Sequence, residues 1–103
     1  MKNFKPYYAV IFTSIRANND NDYKIMAKTM EDLAQKQPGF LGVESARNEL
    51  GITISYWKTL ENINSWKQQT DHVLAQKLGK VNWYSWYKVR ICKVEREYEF
   101  FKN

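Results

Sequence analysis

The apolar positions change period four times along the chain. Tyr7 to Arg16 alternates with period two, yet both faces carry apolar groups: Tyr8, Val10 and Phe12 on one, Ala9, Ile11 and Ile15 on the other. That predicts a β-strand covered on both sides. Asn18-Asn19-Asp20-Asn21-Asp22 then offers side-chain acceptors for the free N–H groups of a helix start. Tyr23, Met26, Ala27, Met30, Leu33 and Ala34 follow at helical spacing, with Lys24, Lys28, Glu31, Asp32 and Gln35 elsewhere. Gln37-Pro38-Gly39 stops this helix.

Phe40 to Arg47 and Ile52 to Trp57 read as two strands across a short Asn48-Glu49-Leu50-Gly51 turn, which is a hairpin. Residues 59–82 read as one broken helical region. Thr59 caps a first piece with Leu60, Ile63 and Trp66; Thr70 or Asp71 caps a second, with Leu74, Leu78 and Val81, and Gly79 weakens its end. Trp86 to Tyr98 is the last strand, centred on Val89, Ile91, Cys92 and Val94. Its far half alternates charged and apolar groups, as an exposed or partner-facing strand would.

Strand-helix-strand-strand-helix-strand is the ferredoxin-like plan of the α+β class. Right-handed crossovers put both helices on one face of a four-stranded antiparallel sheet. The other face stays open, and a large apolar patch there calls for cover. A second copy of the same sheet is the expected cover, giving a homodimer with two sheets face to face.

The chain has 103 residues, enough for a single domain spanning 1–103. Hydrophobic residues are 44% and charged residues 26%, which excludes a disordered chain. One cysteine, Cys92, rules out an internal disulfide and a zinc site built on paired thiolates. Cys92 is expected to be a small buried hydrophobe in a protein of the reducing cytoplasm. No apolar run is long enough for a signal-peptide core or a membrane span. The net charge is +5, but lysines alternate with Glu and Asp and no basic cluster stands out. Nucleic acid is not the expected partner. The third strand lacks the Lys/Arg-Gly start and Phe-Val-x-Phe ending of an RNA-binding octapeptide.

Aromatic residues, at 16%, are in excess. Trp57, Trp66, Trp83 and Trp86, with Tyr56, Tyr84 and Tyr87, either pack the core or line a cavity for a planar aromatic ligand. His72, the single histidine, is either a surface residue or a pocket acid/base. No second histidine supports a protein-only metal site. No glycine-rich phosphate loop or nucleophile elbow is present.

Several stretches together resemble the antibiotic biosynthesis monooxygenase superfamily of dimeric α+β barrels. They are Pro38-Gly39-Phe40 with Val43-Glu44-Ser45, then Ser55-Tyr56-Trp57, then Leu60-Glu61 with Trp66. Asp71-His72 with Ala75-Gln76 and Gly79 follow, and last Trp83-Tyr84 through Tyr87-Lys88-Val89-Arg90 to Val94-Glu95-Arg96-Glu97-Tyr98. The resemblance implies a dimer with a ligand cavity between sheet and helices. It implies oxygenation of a small aromatic metabolite without a cofactor, the substrate carbanion itself reducing oxygen. His72 and Trp66 would be catalytic, and Trp57, Tyr56, Trp83 and Tyr87 would bind substrate. A non-catalytic ligand-binding or sensing dimer of the same fold is the second reading. A haem-degrading branch relies on an Asn, a Trp and an iron-binding His. Trp66 matches the Trp, but Gln76 stands where the His would be, and Tyr8 to Arg16 contains no Asn. Haem is therefore the third reading.

Overall fold

The computed structural model describes residues 4–17, 23–77 and 83–102, and of 72–77 the backbone alone. The elements are β1 (Tyr7–Arg16), α1 (Tyr23–Gln35), β2 (Phe40–Arg47), β3 (Gly51–Trp57), α2 (Leu60–Lys77) and β4 (Tyr84–Val94). The sheet is antiparallel in the order β2-β3-β1-β4, which is the expected ferredoxin-like arrangement.

β1 is central because its β-branched and aromatic residues suit a strand with neighbours on both edges. Its register places Tyr8 opposite Trp57 and Lys93, Val10 opposite Ser55 and Ile91, and Phe12 opposite Thr53 and Val89. Directly opposed residues share a face. This face meets the helices: Ala34 of α1, Trp57 of β3 and Ile63 of α2 form a buried cluster, with Tyr8, Val10, Phe40 and Trp66 packed on it. The reverse face carries Ala9, Ile11, Ile15, Ile52, Ile54, Tyr56, Trp86 and Cys92, and neither helix packs on it among the described residues.

α1 ends where Gly39 takes φ +82°, a conformation that suits glycine. A side chain there would also strike Asn62 at the start of α2. Lys58 N–H donates to the Gly39 carbonyl at 2.9 Å, tying the β3–α2 corner to the α1–β2 turn.

Four local expectations are corrected. α2 is one continuous helix over Leu60–Lys77. Thr70 does not cap a second piece; its hydroxyl donates to the Lys67 carbonyl at 2.8 Å, one turn back, and Asp71 pairs with Lys67 at 2.9 Å. Both side chains find partners on the helix they were expected to start. β4 runs Tyr84–Val94, beginning two residues earlier than Trp86 and ending four before Tyr98, where β1 supplies no further partner. Beyond it Tyr98, Phe100 and Phe101 are exposed. Cys92 is exposed, because it lies on the open face. Ala27 is exposed as well, so α1 buries a narrower stripe, centred on Met26 and Ala34. The expected cap at 18–22, and Leu78, Gly79 and Val81, lie outside the described residues.

Candidate functional site

The helix-facing side of the sheet has two packed ends and an open middle. At one end Trp57 is fully enclosed, with Phe40 edge-on at 5.5 Å between ring centroids and Trp66 stacked at 5.8 Å. The indole N–H of Trp57 donates to Ser55 Oγ at 2.9 Å, so its one polar atom is satisfied inside the layer. Trp57 is therefore core, and half-buried Trp66 is the indole of the pair with a surface left to offer.

At the other end α1 begins at Tyr23, which meets Trp83 and Tyr84 edge-on at 6.2 and 5.8 Å. Tyr84 in turn contacts Phe12 at 5.2 Å, and Phe12 stacks on Tyr87 at 5.3 Å. The Tyr84 and Tyr23 hydroxyls stand 3.4 Å apart. Burial, then that hydrogen bond, push the Tyr84 hydroxyl well above the ordinary tyrosine range, so it stays protonated and donates to Tyr23.

Between the ends the β4 side is uncovered. Tyr87, Val89 and Ile91 are 60%, 46% and 52% exposed although they sit on the helix-facing side beside Phe12 and Val10. Small polar residues, Thr53 and Ser55 of β3, complete the floor. The result is an apolar, aromatic-edged lane about one strand pair wide, a shape that receives a flat ring system. A separate hollow of about 400 Å³ opens around Pro6, Tyr8, Lys58, Thr59, Glu61 and Lys93. Its charged rim makes it a poorer match to an aromatic ligand than the lane.

The residues singled out from the sequence are thus dispersed. Trp57 and Trp66 are together, Tyr87 lies in the lane, and Trp83 is buried behind Tyr23. Tyr56 is not in this space. It is paired with Ala9 and points to the open face, since its neighbour Trp57 points to the helices. There its hydroxyl donates to Glu44 at 2.6 Å. His72 belongs to α2, and its side chain lies outside the described residues. Sequence reasoning missed Phe12, Tyr23, Arg16 and Arg47 as neighbours. Arg16 and Arg47 gather over the Tyr23 ring at 3.9 and 5.8 Å, a basic pair invisible in a chain where they are far apart. Among the described residues no three His, Cys, Asp or Glu side chains converge as metal ligands.

No family model matches the sequence. YqjZ, an uncharacterised protein of Bacillus subtilis (strain 168), is 48% identical over 100 residues, covering 95% of this chain and 88% of YqjZ. Among solved structures, SnoaB, a cofactor-independent oxygenase from Streptomyces nogalater, superposes with a TM-score of 0.70 at 10% identity, covering 88% of this chain and 95% of SnoaB. MhuD, solved with two manganese protoporphyrin IX molecules per active site, superposes with a TM-score of 0.58 at 15% identity, over 92% and 99% of the two chains.

Proposed function

This chain belongs to the family of Bacillus subtilis YqjZ and has the fold of the antibiotic biosynthesis monooxygenases, and on that premise we propose that it oxygenates a small planar aromatic metabolite without a cofactor. The observation that carries the reading is the lane itself. Tyr87, Val89 and Ile91 stay exposed beside half-buried Phe12, on a face that the helices otherwise cover.

In this reading an acidic phenol lies on the lane with Trp66 along its edge. A base removes one proton, the resulting carbanion transfers an electron to dioxygen, and radical and superoxide recombine as a C–O bond. The base returns its proton to the peroxide, whose outer oxygen then leaves as water with the second hydrogen of that carbon, one oxygen atom staying as a carbonyl. The protein supplies position, exclusion of water and the base. His72 of α2 is the candidate base, and Trp66 orients the ring system. The functional unit is a homodimer closed over the open sheet face.

Oxygen uptake with a panel of polycyclic phenols tests this. The expected result is consumption of dioxygen matched to product, slowed about a hundredfold or more in His72→Ala and reduced in Trp66→Phe. Tight ligand binding with no oxygen uptake would favour the sensing reading instead. A Soret shift on titration with hemin would favour haem, a reading kept in view by the porphyrin-bound MhuD structure.

A further inference from the structure

Arg47 is an exposed residue at one end of the sheet. It ends β2 at the hairpin and stands opposite Gly51, which stands opposite Ser14. Its guanidinium crosses β3 above Gly51, where any larger residue would strike it, and donates to the hydroxyl of Ser14. Ser14 is fully buried, so the guanidinium is anchored on its inner side. The Tyr23 ring lies 5.8 Å from its central carbon. A guanidinium has five N–H donors, and Ser14 takes one.

Ion pairs among the described residues join Lys28 to Asp32 and Lys67 to Asp71; none involves Arg47. A cation held in place, beside aromatic rings and without a carboxylate partner among the described residues, is suited to an anion brought by a ligand. The hydroxyls of Tyr23 and Tyr84 border the same space, with the Tyr84 proton given to Tyr23. Ser14 is opposite Tyr87, and Phe12 is two residues along the same strand. That step is about 7 Å, so a substituent on a ring lying over Phe12 and Tyr87 reaches the guanidinium.

We propose that the Arg47 guanidinium, anchored on Ser14 across Gly51, forms an anion subsite that receives a carboxylate carried by the aromatic ligand. This rests on the reading of the lane as the ligand site and narrows it to aromatic acids. The bland alternative is a clamp that fastens the hairpin end to β1.

Isothermal titration of the full chain with 2-naphthoate and with 2-naphthalenemethanol separates the two. The acid is expected to bind about 10- to 100-fold more tightly than the alcohol. Arg47→Gln removes that preference and leaves the alcohol's affinity unchanged. Gly51→Ala, which keeps the charge but displaces the guanidinium, weakens the preference too. Thermal melts confirm that both variants fold. Equal affinity for acid and alcohol, or a preference that survives Arg47→Gln, overturns the subsite and leaves the lane standing. Failure of both compounds to bind overturns the lane and the subsite together.

Discussion

Two tyrosines on the open face each share a hydrogen bond with a carboxylate. Tyr56 donates to Glu44 and Tyr7 to Glu97, with the two rings in edge contact at 5.8 Å. Ionising Tyr56 would lose the hydrogen bond to Glu44, add desolvation and set two negative charges together. In that order these causes push its hydroxyl up to about 12. The raised value means that the folded state favours the protonated phenol. The associated stability is full below the ordinary tyrosine value near 10 and is lost as pH rises from there through about 12. A tyrosinate absorbance titration of wild type against Tyr56→Phe should show one late-titrating hydroxyl fewer in the variant, those of Tyr7 and Tyr84 remaining. Glu44→Gln should move the Tyr56 hydroxyl back toward the ordinary range. A Tyr56 that titrates normally would remove the hydrogen bond from this description.

The second helix shows how one residue type takes opposite roles. Thr59 sits just before α2, accepts from the Asn62 backbone N–H at 3.0 Å and donates to the Asn62 side-chain carbonyl at 2.7 Å. It is a true N-cap, and Thr59→Ala should cost about 1 kcal/mol in urea denaturation, with Thr59→Ser close to wild type. Thr70, of identical chemistry, bonds back to Lys67 inside the helix. Its replacement by Ala should be nearly neutral, because Ala is the better helix former and no orphaned backbone donor depends on it. Comparable losses at both positions would restore the broken-helix reading. Spacing alone does not separate these roles, since each threonine is followed by a plausible apolar stripe.

At the scale of the molecule the open face is the unfinished part. Ile11 and Ile54 lie at its centre, flanked in one row by Glu44 on the β2 edge and Arg90 on the β4 edge. Ile15, Ile52 and Trp86 are 43%, 39% and 43% exposed around them. A two-fold axis parallel to the central strands would lay the Glu44 edge of one copy over the Arg90 edge of the other. Apolar centre and opposed charges then match at once. Sedimentation equilibrium at micromolar concentration should return twice the chain mass, and Ile52→Lys should return the single mass. Cys92 should be slow toward thiol reagents in the wild type and fast in that variant. A monomeric wild type would end the dimer proposal.

Element order, the hairpin, the Thr59 cap and the stop at Pro38-Gly39 were legible in the sequence, because each depends on residues a few positions apart. The two apolar faces of β1 were legible as well, and the helices cover the one that carries Tyr8 and Val10. Four things depended on the tertiary structure. Tyr56 and Trp57 were read as one pocket, but a strand sends neighbours to opposite faces. Trp57 is spent on the core, whereas Tyr87, of no greater apparent importance in the sequence, is left accessible because the helices leave the β4 side open. Arg16 and Arg47 meet over Tyr23 only because β1 and β2, both antiparallel to β3, finish at the same end of the sheet. Gly51 looked like a turn residue, and its further use is to give Arg47 a bare strand to cross. Local hydrogen bonding and side-chain period set the elements. Which apolar residues became core, lane or open face was decided by where two short helices fell on a wider sheet.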